Sequence, residues 1–346
     1  MKIGFQILIL LMFFFSCKDE KVFDLSPSGR NEKHISELRK ELVNAPYGWS
    51  VTYFPRTDSL LFTNVNELIT LPKGIFEDRA KYGYGGHRFL MKFSDNGIVE
   101  IVSDYNEHSL TDVRQSEFEV SQNTFTQLSF TTYNYLHSLV NDRFTGSSDF
   151  LYTGKDIGGN LLFKTSSYVE PAREYIIFTK LKNEESWQKD IRESYNNKLF
   201  FESMKNPQLS IRKADRIYYR SDMRMNFTYT YNDGGGILNE KPPLEIYQRY
   251  HLFLAIDYFA PQGWLKNKVR SLGSGYVGTP HGLTLRPGIR YSEAYTFNDF
   301  RKEGNRFVCE LVKVFDPYSK TIVWVSKHLA PDGEETGVIA EIWDEK

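Results

Sequence analysis

The feature that most constrains this chain is a repeated pattern of short alternating apolar and polar runs separated by tight-turn residues. The clearest case is His87–Phe93 and Ile98–Ser103 around Asp95-Asn96-Gly97. Asn-Gly accepts positive φ at low cost and folds two such runs into a hairpin. Glu117–Ser121 and Phe125–Thr131 flank Gln122-Asn123 in the same way, and Asp149–Thr153, Leu161–Thr165 and Tyr175–Leu181 continue the series. Strands this short cannot bury an apolar face alone, so they must pair into an antiparallel meander. Aromatic residues make up 15% of the chain (26 Phe, 22 Tyr, 5 Trp), which suits a sheet because flat rings fit a pleated, half-buried surface. Exposed rings also suit the binding of sugars or peptides.

Two segments carry the helical period instead. After Ser28, an N-cap candidate, Ile35, Leu38 and Leu42 recur at spacings of three and four, and Asn44-Ala45-Pro46 stops the run. Trp49–Phe54 then alternates as a strand ended by Pro55, and residues 56–86 form a long, weakly patterned connection. In the second half, Glu184–Met204 places Trp187, Ile191, Tyr195 and Leu199 four apart, and Pro207 ends that helix. Strands are expected at Leu209–Tyr219, Met225–Tyr231, Tyr250–Phe259, Leu283–Arg286, Arg306–Phe315, Thr321–Lys327 and Gly337–Trp343. The fold class is therefore mainly β with a few helices (α+β). Two arrangements satisfy the pattern. One is a helix followed by a meander in each half, with domains at 28–182 and 183–346. The other is a single large curved sheet or barrel.

The N-terminus speaks to location. Met1-Lys2 is followed by an apolar run, Ile3 to Phe15, too short to span a bilayer as a helix. Ser16 then precedes Cys17, and Phe14 at the third position before Cys17 does not suit an ordinary signal peptidase. Residues 1–16 read as a lipoprotein signal peptide cleaved between Ser16 and Cys17, with Cys17 the lipidated residue and 17–27 a tether. Lys18-Asp19-Glu20 resembles the export signal that sends Bacteroidota lipoproteins to the outer face of the outer membrane. The expected location is the outer membrane, lipid-anchored, at the cell surface, with the periplasmic face as the alternative. A membrane partner is thus expected through the N-terminal lipid.

Several pieces in fixed order carry a family resemblance. They are the helix before Gly48-Trp49, the strand ending Tyr53-Phe54-Pro55, Tyr84–Asp104 (YGGHRFLMKFSDNGIVEIVSD), Ser116–Val120, Leu128–His137 (LSFTTYNYLH) and Ser148–Phe150. Over roughly residues 20–180 the chain resembles the domain of unknown function family 4302 of Bacteroidota lipoproteins. The resemblance implies an outer-membrane or surface lipoprotein whose neighbours include energy-coupled importer components. It supplies no catalytic residues. Each shared piece also has an architectural reading: Gly85 and Gly86 for a bend or a positive φ, Asp95 and Gly97 for the turn, Trp49, Phe89 and Phe130 for the core, Asn134 for tying a loop.

The chain offers no catalytic motif. Seven histidines are scattered without metal-ligand spacing, and Glu107-His108 with Asp104 and Asp112 is the nearest polar cluster. Gly273-Ser274-Gly275-Tyr276 with His281 lacks the strand-to-helix elbow of a serine hydrolase and reads as a flexible loop. Cys309, in Phe307–Leu311, reads as a buried thiol. No cofactor and no metal are expected, and a formal charge of −1 gives no case for nucleic acid. Candidate ligand-facing rings are Tyr82, Tyr84, Trp264 and Tyr276, against the alternative that Trp264 anchors its loop. The function expected is a non-catalytic binding or accessory component of a nutrient-import system with a glycan or peptide ligand. The alternatives are a hydrolase with an unrecognised site and a structural or adhesion protein.

Overall fold

The computed structural model describes residues 25–58, 86–122, 124–140, 146–165, 172–182, 187–224, 251–256, 270–290 and 295–346. The first helix, α1, spans Pro27–Val43. Its N-cap is Ser26, whose hydroxyl accepts the Gly29 N–H at 3.1 Å, and not the expected Ser28. Pro27 explains the shift: a proline in the first turn has φ preset and no N–H to leave unsatisfied. Leu38 and Leu42 form the buried stripe.

Eight strands follow: β1 (Trp49–Asp58), β2 (His87–Phe93), β3 (Ile98–Ser103), β4 (Arg114–Gln122), β5 (Thr126–Phe130), β6 (Asp149–Lys155), β7 (Leu161–Lys164) and β8 (Ala172–Lys180). Each pairs antiparallel with the next, and β1 pairs with β8, so they close into a barrel. The period-2 pattern decides which residues point inward: Trp49, Val51 and Tyr53 of β1 and Phe89, Met91 and Phe93 of β2 are fully or nearly fully buried in one core. Pro55 does not end β1. It sits where the β1–β8 register shifts between Phe54 and Thr57, a place where a missing N–H breaks no ladder bond. At one end α1 presses Leu38 and Leu42 onto the lumen side chains, and the Trp49 indole donates to the Leu42 carbonyl at 2.8 Å. At the other end a 3-10 turn at His137–Leu139 adds Tyr135, Leu136 and Leu139 to the same core. The lumen is packed with the barrel's own rings.

The second half holds α2 (Trp187–Glu202) and nine strands: β9 (Pro207–Lys213), β10 (Arg216–Arg224), β11 (His251–Ile256), β12 (Arg270–Thr279), β13 (Gly282–Arg290), β14 (Thr296–Glu303), β15 (Arg306–Asp316), β16 (Thr321–Ser326) and β17 (Glu334–Asp344). They form one sheet in the order β14-β13-β12-β11-β10-β9-β17-β15-β16, and β14 also pairs with β15. That pairing brings the sheet back on itself, leaving β16 as a branch. Of the two expected arrangements, the helix followed by a meander in each half is the one present, and the single sheet is not: each half curls its own meander round until the first strand of the half pairs with the last, β1 with β8 and β9 with β17.

Three sequence expectations change here. The single strand expected at Leu209–Tyr219 is two, β9 and β10, with Ala214 at φ 49 in the turn between them. The glycine-rich 273–276 stretch, expected as a flexible loop, lies in β12, paired on both sides by β11 and β13. Gly278 of the same strand has a packing reason: a Cβ there would overlap the Ser194 carbonyl of α2, so its absence lets helix and strand backbones meet. Gly86 is needed for the same kind of close approach, against the Phe54 ring, rather than for a positive φ.

Helix α2 lies between the two halves. Its Trp187, Ile191 and Tyr195 pack on Leu90 and Val102 of the outer barrel face and on Leu110. Phe201 enters the core of the second sheet. Leu199, the fourth member of the expected stripe, is 44% exposed. At 3.6 residues per turn, each four-residue step drifts by about 40°, so three steps carry the side chain roughly a third of the way round.

Candidate functional site

With the lumen filled, the accessible surface of the barrel is its rim and outer face. The connections from β3 to β4 and from β5 to β6 lie at the barrel end opposite α1, and their facing edges build a compact aromatic and polar cluster. Asn134 is its anchor. Its side chain is fully buried, donates through Nδ2 to Ser116 Oγ at 2.9 Å and accepts the Leu136 N–H at 2.8 Å. Ser116 in turn donates to the Thr132 carbonyl at 2.7 Å. These bonds pin the loop to β4, the tying role expected of Asn134.

The pinned loop separates its two tyrosines. Tyr135 turns inward, 4% exposed, and its hydroxyl donates to Asp112 Oδ2 at 2.7 Å. Burial, then that bond, pushes its hydroxyl up to about 12, and the same bond holds the Asp112 carboxyl below its usual range. Arg114 reaches Asp112 Oδ2 through Nε at 3.4 Å and lays its guanidinium 4.3 Å from the Tyr135 ring centre. Tyr133 turns outward and is 65% exposed. Its hydroxyl bonds Ser138 Oγ at 3.2 Å, the His137 ring packs tilted at 5.6 Å, and the Arg114 guanidinium lies 5.9 Å from its ring centre. His137 Nδ1 accepts the Asn134 N–H, and burial holds its imidazole below the ordinary histidine value. Val113 and Val140, each 48% exposed, widen the apolar surface. Asp112 and Arg114 neutralise each other, so the cluster is an aromatic face with planar polar groups at its edge and little net charge.

The structure scatters other candidates. Tyr276, expected as an exposed ring, is fully buried in β12, stacks edge-on against Phe201 at 4.9 Å and donates its hydroxyl to Glu202. Strand alternation points it into the second core, which the glycine-rich context concealed. Tyr82, Tyr84 and Trp264 lie outside the described residues, as do Ser16 and Cys17. The Glu107, His108, Asp104, Asp112 group is pulled apart: His108 is highly exposed and 4.0 Å from Asp112, while Asp104 is fully buried beside β2. Among the described residues no three His, Cys, Asp or Glu side chains gather as a metal site. Ser274 has its hydroxyl bound within the sheet, donating to the Gly275 carbonyl and accepting the Gly288 N–H. Ser326 bonds His328 Nδ1 at 2.9 Å but is 3% exposed, out of reach of a substrate. Cys309 is fully buried, and burial pushes its thiol up to about 12.

Two more polar features remain. An open groove of about 490 Å³ is lined by Asn197, Pro280, His281, Arg301, Lys302 and Gly304. Its cations are engaged: Arg301 bonds Glu303, and Lys302 Nζ lies 4.2 Å above the Phe200 ring. The second is a buried charge cluster under α2. Arg88 of β2 donates to Asp190 Oδ1 through Nη2 at 2.9 Å and Nε at 3.3 Å, with both side chains under a tenth exposed. The Arg88 backbone N–H donates to Asp104 Oδ1 at 2.8 Å. Burial raises the Asp104 carboxyl, against the pull of Lys198 and Arg88.

The family model described as Domain of unknown function (DUF4302) matches residues 19–304. The chain belongs to this family. The DUF4302 match runs well beyond residue 180, through α2 and into β14, so the family signature includes the helix that joins the halves. Several of its marked residues meet that helix: Trp187 donates its indole N–H to the Tyr47 carbonyl beside Gly48, and Leu90, Arg88 and Val102 lie beneath it. No curated protein and no solved structure matches the chain.

Proposed function

We propose that this protein is a lipid-anchored outer-membrane or surface protein, held by Cys17, that serves a nutrient-import system as a non-catalytic binding component. The observation that supports binding at the surface is the contrast between the two parts of the barrel. The lumen is packed with the barrel's own rings, whereas the rim presents Tyr133 on a loop tied down by buried hydrogen bonds. A rigid ring on a fixed loop loses little freedom on binding. The signal-like N-terminus and the tether ahead of α1 support the anchor. No described helix is long and apolar enough to cross a membrane.

Fractionation with palmitate labelling tests the anchor. The wild type is expected in the membrane fraction with label, and Cys17→Ser in the soluble fraction without it. Persistent labelling of Cys17→Ser overturns the anchor. Growth of a deletion strain on a panel of single nutrients tests the role. A defect on at least one nutrient, restored by the wild-type gene, is expected, and parental growth on all of them overturns it.

A further inference from the structure

We propose that the Tyr133 rim is a saccharide-binding platform that takes the apolar face of an uncharged sugar ring. This rests on the surface-binding reading above and names its ligand class. A pyranose has a face of C–H groups and a perimeter of hydroxyls. It pairs with a flat apolar ring flanked by planar donors and acceptors, and the rim supplies that combination. Tyr133 offers the face, and its own hydroxyl, bonded to Ser138, holds the ring's angle. Arg114, its guanidinium over one side of the Tyr133 ring at 5.9 Å from the centre, and Asp112 stand beside it, with side chains 39% and 38% exposed. Tyr135 fixes the orientation of both, by hydrogen bond to Asp112 and by stacking under Arg114, so neither needs much ordering when hydroxyls arrive.

Charge and topology separate this ligand from others. Asp112 and Arg114 sit 3.4 Å apart and cancel, and burial disfavours the charged form of His137, so the described groups around Tyr133 hold no surplus charge for an anionic ligand. An extended peptide gains most of its affinity from pairing with an open strand edge. In the closed barrel β1 to β8 every strand has a partner on each side, which leaves little edge for that mode. A sugar stacked on Tyr133 needs neither a surplus charge nor an edge.

The test is affinity electrophoresis of the purified protein in gels containing a neutral mannan, xylan, β-glucan or α-glucan, followed by calorimetry on the polysaccharide that retards it. Tyr133→Ala is expected to weaken binding by about tenfold or more. Tyr133→Phe, which keeps the ring and loses the Ser138 bond, should stay within about threefold, and Tyr133→Trp should bind at least as well as wild type. Binding should be nearly unchanged between about 50 and 500 mM salt, because no net charge is neutralised. Circular dichroism of each variant checks folding, and exposed Tyr133 should tolerate all three changes. Binding that survives Tyr133→Ala, or that salt abolishes, overturns the platform. Absence of retardation by every neutral polysaccharide overturns the saccharide class. The growth test above then decides separately whether the protein is a binding component of another kind.

Discussion

Tyr133 and Tyr135 stand two residues apart and serve opposite ends. One is the most exposed large ring among the described residues, and the other is buried under Arg114 with its hydroxyl on Asp112. The difference comes from Asn134 between them, whose amide is spent on Ser116 and the Leu136 N–H. His137 offers a measurable consequence. Its folded value lies below the ordinary histidine value of about 6.5, so the unfolded chain takes up a proton first as pH falls. The stability this neutral ring contributes is therefore present above that ordinary value and is lost as pH drops from it through the lowered folded value. Thermal melts between about pH 7.5 and 5.5 should fall more steeply for wild type than for His137→Gln. Cys309 gives a second test. In a Cys17→Ser background a maleimide should label it only beyond the unfolding midpoint, since the thiol is fully buried and pushed up to about 12. Rapid labelling of the native protein would contradict the packing of the second core. Of these residues, the tying role of Asn134 and the burial of Cys309 were legible in the sequence. Which tyrosine faces out was not, because loop residues follow no period.

At the scale of the element, α2 carries the most information. It is amphipathic in an uncommon way: one side is apolar against the barrel, and another buries Ser194, Asn197 and Lys198. The Arg88–Asp190 pair beneath it is buried at both ends, so removing one partner leaves a desolvated charge. Arg88→Met and Asp190→Leu should each cost about 3–5 kcal/mol, while the double variant should recover most of that loss. Chemical denaturation of the three variants checks this, and additive losses would show that the two groups do not act as a pair. Gly278→Val should destabilise as well, because its side chain would meet the Ser194 carbonyl and force helix and strand apart. The helix itself was readable from its period. Its two-sided burial was not, since periodicity reports where apolar residues lie and not how many bodies the helix touches.

For the whole molecule, two curled meanders share one helix. Trp187 and Ile191 belong to the contact with the barrel, and Phe201 belongs to the core of the second sheet. Neither half keeps its full apolar cover without α2, so the halves should unfold in a single transition. Calorimetry should show one peak for wild type, with the Trp49 and Trp324 environments lost together. Two separated wild-type transitions would sink this coupling.

The sequence by itself determined most of the local decisions: the alternation of the barrel strands, the hairpin turns with clear turn residues, where α1 and α2 run, and that the assembly is mainly β. These follow from periodicity and turn chemistry, which act over a few residues. Tertiary structure decided that β1 meets β8, that β14 returns to β15, that Gly278 lets α2 rest on β12, and that Tyr276 is hidden while Tyr133 is displayed. Those outcomes depend on pairings between residues far apart in the chain, where closing the rings and filling the lumen settle what the local pattern leaves open.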